Sequence, residues 1–312
     1  MIASLYRIIV ISRNTLTEAV RQRVLSVLLI FGLILVGSSV FVSTIATPGL
    51  DASGLFDEQI KFVKDFGCGA MGLIGFAIAL LSTAQLIPQE LHNRTIYSIL
   101  AKPVRRVEFL LGKFFGVVLL LALCVALMSL AFAAALYWQE SQGISFAQGL
   151  RDQQIASGHY TEEQKQSVNR QYDNDIQGIV SKVRDPQLIE AILLIFAKLV
   201  MTSAIALLLS TFATSSIFTI VSTFMVYLIG HMESVARAMW LTHGADTTIW
   251  QSGLVGLISM LIPDMNSFTI VDEILADNRI PWSHTFSLLG YAGVYVIVLL
   301  ALSEISFRFR EI

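Results

Sequence analysis

Long apolar stretches with few or no charges constrain this sequence more than any other feature. A helix needs about 20 apolar residues to cross a bilayer core of about 30 Å. The candidate spans are residues 24–46, 67–87, 107–137, 189–212, 216–232 and 284–306. Only 14% of the 312 residues are charged, whereas a soluble domain carries about 25%. The sequence therefore predicts an all-α integral membrane protein with a bundle of six transmembrane helices.

The remaining composition excludes several other classes of protein. The net charge of −2 gives no indication of a nucleic-acid partner. Cys68 and Cys124 both lie in apolar segments, where two thiols do not form a disulfide framework. The apolar run 24–46 is longer than the core of a cleavable signal peptide, which has about 7–15 residues. We expect this run to be retained as the first span.

Positive charges beside the spans predict the orientation, because cytoplasmic loops are enriched in lysine and arginine. Segment 1–23 has four arginines and one acidic residue, and segment 88–106 has three arginines, one lysine and one acidic residue. Segments 47–66, 138–188 and 233–283 are each net acidic. We therefore expect both termini in the cytoplasm and the three acidic segments on the other side.

Two of the outer segments are expected to form helices of their own. In 138–188, Thr161 and Gln164 fit a capping box. An apolar stripe at helical spacing follows, formed by Val168, Tyr172, Ile176, Ile179 and Val183. With a shorter segment at 145–157, this pattern predicts an extracytoplasmic helical hairpin. In 233–283, the apolar run 250–262 has 13 residues and is too short to span, so we interpret it as interfacial or re-entrant.

The segment from about 88 to 104 is expected to form a short amphipathic helix between the second and third spans. Pro88 and Pro103 bound it, and Leu91, Thr95 and Ile99 lie on one side at helical spacing. Such a helix suits docking in a groove of a cytoplasmic partner. It also suits an interfacial helix whose apolar side rests in lipid. The residues alone leave both interpretations open.

Three motifs resemble those of a known family. The first runs from Glu90 through Arg94-Thr95-Ile96-Tyr97-Ser98-Ile99-Leu100 and Lys102-Pro103 to Gly112-Lys113. The other two are the opening from Arg13 to Val24 and the run Tyr227-Leu228-Ile229-Gly230-His231. Together they resemble the ABC-2-type transporter permeases. The likeness is greatest to the branch described as multicopper-enzyme (nitrous oxide reductase) maturation permeases.

This resemblance implies a domain organisation. Residues 1–23 would form an interfacial elbow helix, and residues 24–137 the first three spans with the coupling helix at about 88–104. The hairpin at 138–188 and the last three spans at 189–312, with the extracytoplasmic segment 233–283, would follow. The chain would reside in the bacterial plasma membrane and pair with a second copy of itself or a similar permease.

The resemblance also implies a contact with a separate ABC ATP-binding subunit, whose cleft receives the coupling helix. The residues that would make this contact are Glu90, Arg94, Thr95, Tyr97, Ile99, Leu100, Lys102, Pro103 and Arg106. The chain itself has no phosphate-binding loop, because its single Gly-Lys pair, Gly112-Lys113, precedes a phenylalanine and opens a span. We therefore expect no catalytic residue and no cofactor in this chain, with ATP and magnesium bound by the partner.

Some residues inside the spans allow two interpretations. The small residues Gly69, Gly72, Gly75, Gly112 and Gly116 would permit close packing of helices. We favour packing between helices of one chain over packing between the two chains of a dimer. Lys198 lies in the fourth span. Its ammonium would either contact an ion or a substrate within the membrane, or reach the membrane interface through its long side chain.

A methionine every seven residues accompanies two histidines near the fifth span. Met232, His231 and His243 carry the soft and imidazole ligands that suit copper(I). Methionine at helical spacing is more often simple packing, so we predict no metal site.

These observations lead to one main functional hypothesis and one alternative. The main hypothesis is the permease subunit of an ABC transporter, which moves a substrate with ATP hydrolysed by its partner subunit. The alternative is an ATP-driven mechanotransmission protein that acts on an extracytoplasmic partner without transport. The sequence does not indicate the substrate.

Overall fold

The computed structural model describes residues 2–46, 52–88, 105–158, 161–243, 262–269 and 280–309. Within these ranges every regular element is helical and no strand occurs. The helices are α1 (Ile2–Val20), α2 (Arg23–Ala46), α3 (Ala52–Ala84), α4 (Arg106–Ser157), α5 (Glu162–Val183), α6 (Gln187–Phe212), α7 (Ser216–His243) and α8 (Trp282–Phe309), with a 3₁₀ turn at Asn266–Phe268. The all-α prediction is confirmed for this part of the chain.

Five stretches of the described chain are long and apolar enough to cross a membrane. They include most of α2, α3, α4, α6 and α8, and each overlaps one of the predicted spans. The sixth predicted span lies in α7, whose apolar part, Ser216–Met232, is shorter. The count of six spans therefore stays a prediction.

Helix α4 differs most from the sequence prediction, which placed a span at 107–137 and a separate helix at 145–157. The structure joins both into one helix of 52 residues. Residues 138–144 contain no proline and a single glycine, so nothing in the sequence interrupts the helix. At 1.5 Å per residue α4 is about 78 Å long, more than twice the thickness of a bilayer core of about 30 Å.

The distal part of α4 and α5 form the predicted helical hairpin. Gln164 Oε1 accepts a hydrogen bond of 3.0 Å from the Thr161 backbone N–H at the start of α5. The Tyr172 hydroxyl donates to Gln154 Oε1 at 2.9 Å and joins the two arms. Ile179 and Val183 of the apolar stripe are buried. The extracytoplasmic position of this hairpin stays a prediction.

Helices α3, α4 and α6 form the core of the bundle. Their inward side chains include Met71, Leu121 and Leu194, which are completely buried. In contrast, only 22% of the most apolar stretch of α2, and 17% of that of α8, is buried within the chain. The apolar outer faces of α2 and α8 suit contact with lipid, where no backbone polar group is left unpaired.

Polar contacts join the helices at both ends of the bundle. We call the end near both chain termini the terminal end, where the Thr211 hydroxyl donates to Ser306 Oγ at 2.9 Å. The opposite end, from which α4 and α5 project, is the hairpin end. The contacts at the hairpin end are Gln139 Nε2 to Gln59 Oε1 at 2.6 Å, Arg184 Nη2 to Glu140 Oε1 at 2.9 Å and Lys64 Nζ to Asp185 Oδ2 at 3.6 Å.

Helix α1 packs along the first turns of α4 through Gly112 and Gly116. A Cβ atom at Gly112 would lie 2.7 Å from Ile11 Cβ, and one at Gly116 would lie 2.6 Å from Thr15 Cβ. Only glycine permits this approach. In α3, a Cβ at Gly75 would lie 2.5 Å from Leu199 Cδ1, whereas Gly69 and Gly72 have no atom within 4 Å of the corresponding position.

We expect Gly116→Ala to separate α1 from α4. Its Cβ would lie 2.9 Å from the Ser12 carbonyl oxygen as well as against Thr15, so the free energy of unfolding should fall by about 1–3 kcal/mol. Thermal denaturation in detergent measures the change against Gly69→Ala, which gains the same helix propensity without a clash. Equal melting temperatures for the two variants would contradict this packing.

Candidate functional site

Most of the residues predicted to contact an ATP-binding subunit lie outside the described residues. These are Glu90, Arg94, Thr95, Tyr97, Ile99, Leu100, Lys102 and Pro103. Their role stays a prediction. The structure does describe the chain on both sides of this segment, up to Pro88 shortly after α3 and from Arg105 directly before α4.

The carboxylate of Glu108 joins α1 to the first turn of α4. Its Oε1 accepts a hydrogen bond of 2.6 Å from the Ser4 hydroxyl, and its Oε2 accepts one of 3.3 Å from Arg7 Nη1. The same Oε2 accepts the Arg105 backbone N–H at 3.3 Å. Glu108 is therefore the third residue of α4 and caps the helix through the Arg105 backbone N–H, in the first turn where a carboxylate also interacts favourably with the helix dipole.

The guanidinium of Arg106 joins the same turn of α4 to the end of α8. Arg106 Nη1 donates to the backbone carbonyls of Phe307 at 3.0 Å and Arg308 at 3.1 Å. Helix C-terminal carbonyls have no donors within their own helix and attract positive charge. The rings of Phe109 and Phe307 lie 6.3 Å apart beside this contact. The predicted role of Arg106 at an ATPase contact is untested, and its described partners belong to α8.

These contacts form one cluster, which we call the terminal junction: Ser4, Arg7, Arg105, Arg106, Glu108 and Phe307. It joins α1, α4 and α8 at the residues that directly follow segment 89–104. Any displacement of the chain at Arg105 must therefore displace α1 and α8 with α4, or break these bonds. Sequence reasoning identified Arg106 and included Glu108 in a motif, but it did not identify their partners.

A second polar cluster lies between the spans, centred on Lys198 of α6. Lys198 Nζ is 3.0 Å from His231 Nε2 and donates to Thr269 Oγ1 at 3.2 Å. It also lies 5.6 Å from the centre of the Tyr227 ring. Because a lysine ammonium only donates, His231 Nε2 acts here as the acceptor. Lys198 therefore points into the chain at α7 and segment 262–269.

Segment 262–269 is irregular chain with one 3₁₀ turn, and it packs against α7 and α8. The Met265 backbone N–H donates to the Gly230 carbonyl at 3.0 Å, and Asp264 N–H donates to the Tyr291 hydroxyl at 3.1 Å. A Cβ at Gly230 would lie 2.8 Å from the Pro263 carbonyl oxygen, so glycine permits this contact. Met265 and Phe268 are fully buried. The sequence prediction of an interfacial or re-entrant run concerned 250–262, which lies outside the described residues except for residue 262.

The Asp264 side chain folds this segment into its 3₁₀ turn. Its Oδ1 accepts the backbone N–H groups of Asn266 at 3.0 Å and Ser267 at 3.3 Å. Its Oδ2 accepts the Ser267 hydroxyl at 2.6 Å. Aspartate is suited to such a turn because its short carboxylate reaches the N–H groups that follow it.

The two described residues that were considered for copper, His231 and Met232, do not converge on a site. His231 Nε2 faces the Lys198 ammonium, which would repel a metal cation, and Met232 points outward with 67% of its surface exposed. The side chain of His243 lies outside the described residues. Among the side chains that the structure describes, no group of three histidine, cysteine or acidic residues could hold a metal ion.

The sequence profile of ABC-2 family transporter proteins matches residues 8–303. The chain belongs to the ABC-2 family. It is a multi-pass membrane permease of the ABC transporter class, a transport component that is not itself catalytic. The match extends from α1 into α8 and includes the cluster around Lys198 and the α4 part of the terminal junction, Arg105, Arg106 and Glu108. A comparison with curated proteins found no match.

We expect Arg106→Met to loosen the last turn of α8 in this permease. The carbonyls of Phe307 and Arg308 would lose a charged donor, which is worth about 1.5–3 kcal/mol. Hydrogen exchange of residues 303–309 should become about tenfold faster or more. The matched control is Arg105→Met, since Arg105 is exposed and adjacent. Unchanged exchange in Arg106→Met would show that this contact does not hold α8.

Proposed function

We propose that this ABC-2 permease moves a substrate across the bacterial plasma membrane with ATP that a separate ATP-binding subunit hydrolyses. Segment 88–104 is the coupling helix in this proposal, and the terminal end of the bundle faces the cytoplasm. Two permease chains, identical or similar, would enclose the path. The motif between Glu90 and Lys113 supports a place near the multicopper-enzyme maturation branch of the family.

The terminal junction is the observation that carries this proposal. Glu108 and Arg106 attach α1 and α8 to the turn that directly follows the coupling segment. When ATP binding moves that segment, the junction would transmit the displacement to three helices at once. For such coupling to work, nucleotide must stabilise the two arrangements of the bundle to different degrees.

A second candidate function is ATP-driven mechanotransmission to an extracytoplasmic partner. Helix α4 supports it, because this single helix runs from the terminal junction to the hairpin. A rigid helix of about 78 Å could carry a displacement from the coupling segment to a protein bound at the hairpin. Shortening the hairpin arms distinguishes the two functions, since transport would persist and action on the partner would be lost.

We expect Glu90→Lys to abolish capture of the ATP-binding subunit. Purification of the tagged chain from its native membrane in mild detergent, followed by identification of bound chains and an ATPase assay, measures this loss. Reversing one charge in a contact that buries it should weaken binding by about tenfold or more.

The matched control for this experiment is Lys165→Glu. Lys165 lies in the first turn of α5, on the hairpin that projects from the end of the bundle opposite Arg105. Its ion pair with Glu162 is exposed. This variant should retain the ATP-binding subunit. If the wild-type chain purifies alone and without ATPase activity, segment 88–104 is an interfacial helix and the proposal is wrong.

A further inference from the structure

The polar cluster around Lys198 lies well inside the spans. Lys198 is eleven residues after the start of α6 at Gln187, which corresponds to about 17 Å along the helix. His231 is fifteen residues after the start of α7 at Ser216, or about 23 Å from the terminal end. Both values place the cluster in the interior of the membrane, toward the hairpin end.

The side chains of this cluster are only half-buried within the chain. Lys198, His231, Tyr227, Asp264 and Tyr291 all retain partial exposure. A charged group at this depth is costly when it faces hydrocarbon, and such residues face a water-filled cavity or the interior of a bundle. Irregular backbone such as 262–269 is tolerated at membrane depth under the same condition. The open side of the cluster is therefore expected to face water or a bound molecule.

Within the described part of the chain, the Lys198 ammonium has one N–H more than it has acceptors. It has three N–H donors, and the described residues accept two of them, at His231 Nε2 and Thr269 Oγ1. Among the ion pairs of the described chain, none involves Lys198. Among the described acidic groups, Asp264 interacts electrostatically with Lys198, and its oxygens already accept two backbone N–H groups and one hydroxyl.

The tyrosine rings give the site its shape. The Tyr227 ring lies 4.0 Å from that of Phe76 and 4.6 Å from that of His231. The Tyr291 ring lies 4.8 Å from that of Tyr295 on α8. The Tyr227 ring, 5.6 Å from the Lys198 ammonium, places an aromatic face beside a single cation, which suits a molecule with an apolar body and one negatively charged group.

We propose that Lys198 binds an anionic group of the transported molecule, a phosphate or a carboxylate, at the surface formed by α6, α7 and segment 262–269. His231 and Thr269 hold the ammonium in place, and its third N–H donates to the anion. This inference rests on the permease function proposed above and assigns a substrate class to it. The anionic group would belong to an amphipathic molecule or to a small free anion.

The test measures equilibrium binding to the purified chain in nanodiscs of phosphatidylcholine, without any ATP-binding subunit. The probes are radiolabelled dodecyl phosphate, dodecanoate and inorganic phosphate. We expect saturable binding of at least one probe, weakened about tenfold or more in Lys198→Met because a charge-assisted hydrogen bond is lost. Lys198→Arg keeps the charge and should stay within about threefold of the wild type.

The pattern of probes identifies the source of the anion. Binding of dodecyl phosphate or dodecanoate alone supports an amphipathic ligand, and binding of inorganic phosphate as well supports a small free anion. The proposal is overturned if no probe binds saturably, or if the wild type and Lys198→Met bind every probe equally.

A chemical rescue keeps the test valid if Lys198→Met folds poorly. Lys198→Cys, with Cys68 and Cys124 replaced by alanine, is treated with aminoethyl methanethiosulfonate, which restores an ammonium at this position. Binding should return, and the neutral hydroxyethyl reagent should not restore it. An unreactive Lys198→Cys would mean that lipid or a second permease copy covers this surface, which also overturns the proposal.

Failure of this inference can be told apart from failure of the proposed function. Lys198 lies on α6, away from the coupling segment, so Lys198→Met should still capture the ATP-binding subunit. A chain that captures this subunit but binds no anion leaves the permease function intact. A chain that binds anions but captures no ATPase contradicts the permease function instead.

Discussion

The carboxylate of Glu108 is the contact on which the rest of the terminal end depends. It is 5% exposed, it caps α4, and it accepts two bonds from α1. Without it, the Ser4 hydroxyl, the Arg7 guanidinium and the Arg105 backbone N–H would lose their shared acceptor at once. Arg106, two residues earlier, extends the same turn to α8. A single helical turn thus fixes three helices at the point where the described chain resumes at Arg105.

The membrane environment explains how the remaining helices of the bundle are held together. Apolar side chains provide little driving force between helices in lipid, so close packing and polar contacts have to hold the bundle together. Glycines at the α1–α4 and α3–α6 contacts permit the packing, and polar layers at both ends supply the contacts. Segment 262–269 suits this environment because Gly230, Asp264 and Tyr291 accept hydrogen bonds from four of its backbone N–H groups.

The sequence predicted the parts of the fold that depend on local patterns. Runs of apolar residues marked the helices, and Thr161 with Gln164 marked the start of α5. The continuity of α4 was missed because the hydropathy pattern changes at Trp138 while the helix does not. Hydropathy reports the surroundings of a helix, whereas the helix itself ends only where capping residues, glycine or proline stop it.

The candidate sites were predictable only in part, because their partners are distant in the sequence. Lys198 stood out as a charge in a span, but His231 and Thr269 lie 33 and 71 residues away. Arg106 was expected at a subunit contact by resemblance, while its described partner is 201 residues away. No local pattern reveals which helix ends meet, since that depends on the packing of the whole bundle.

The central claim is that α1 and α8 move as one body with the start of α4. Double electron–electron resonance tests this claim directly, because it measures the distance between spin labels attached at Arg13→Cys and Phe309→Cys. Both positions are exposed. Labelled chains diluted with unlabelled ones, in complex with the ATP-binding subunit, are measured with and without a non-hydrolysable ATP analogue. The account predicts one distance that stays constant between the two states. A change of distance on nucleotide binding would contradict it and show that the terminal junction opens.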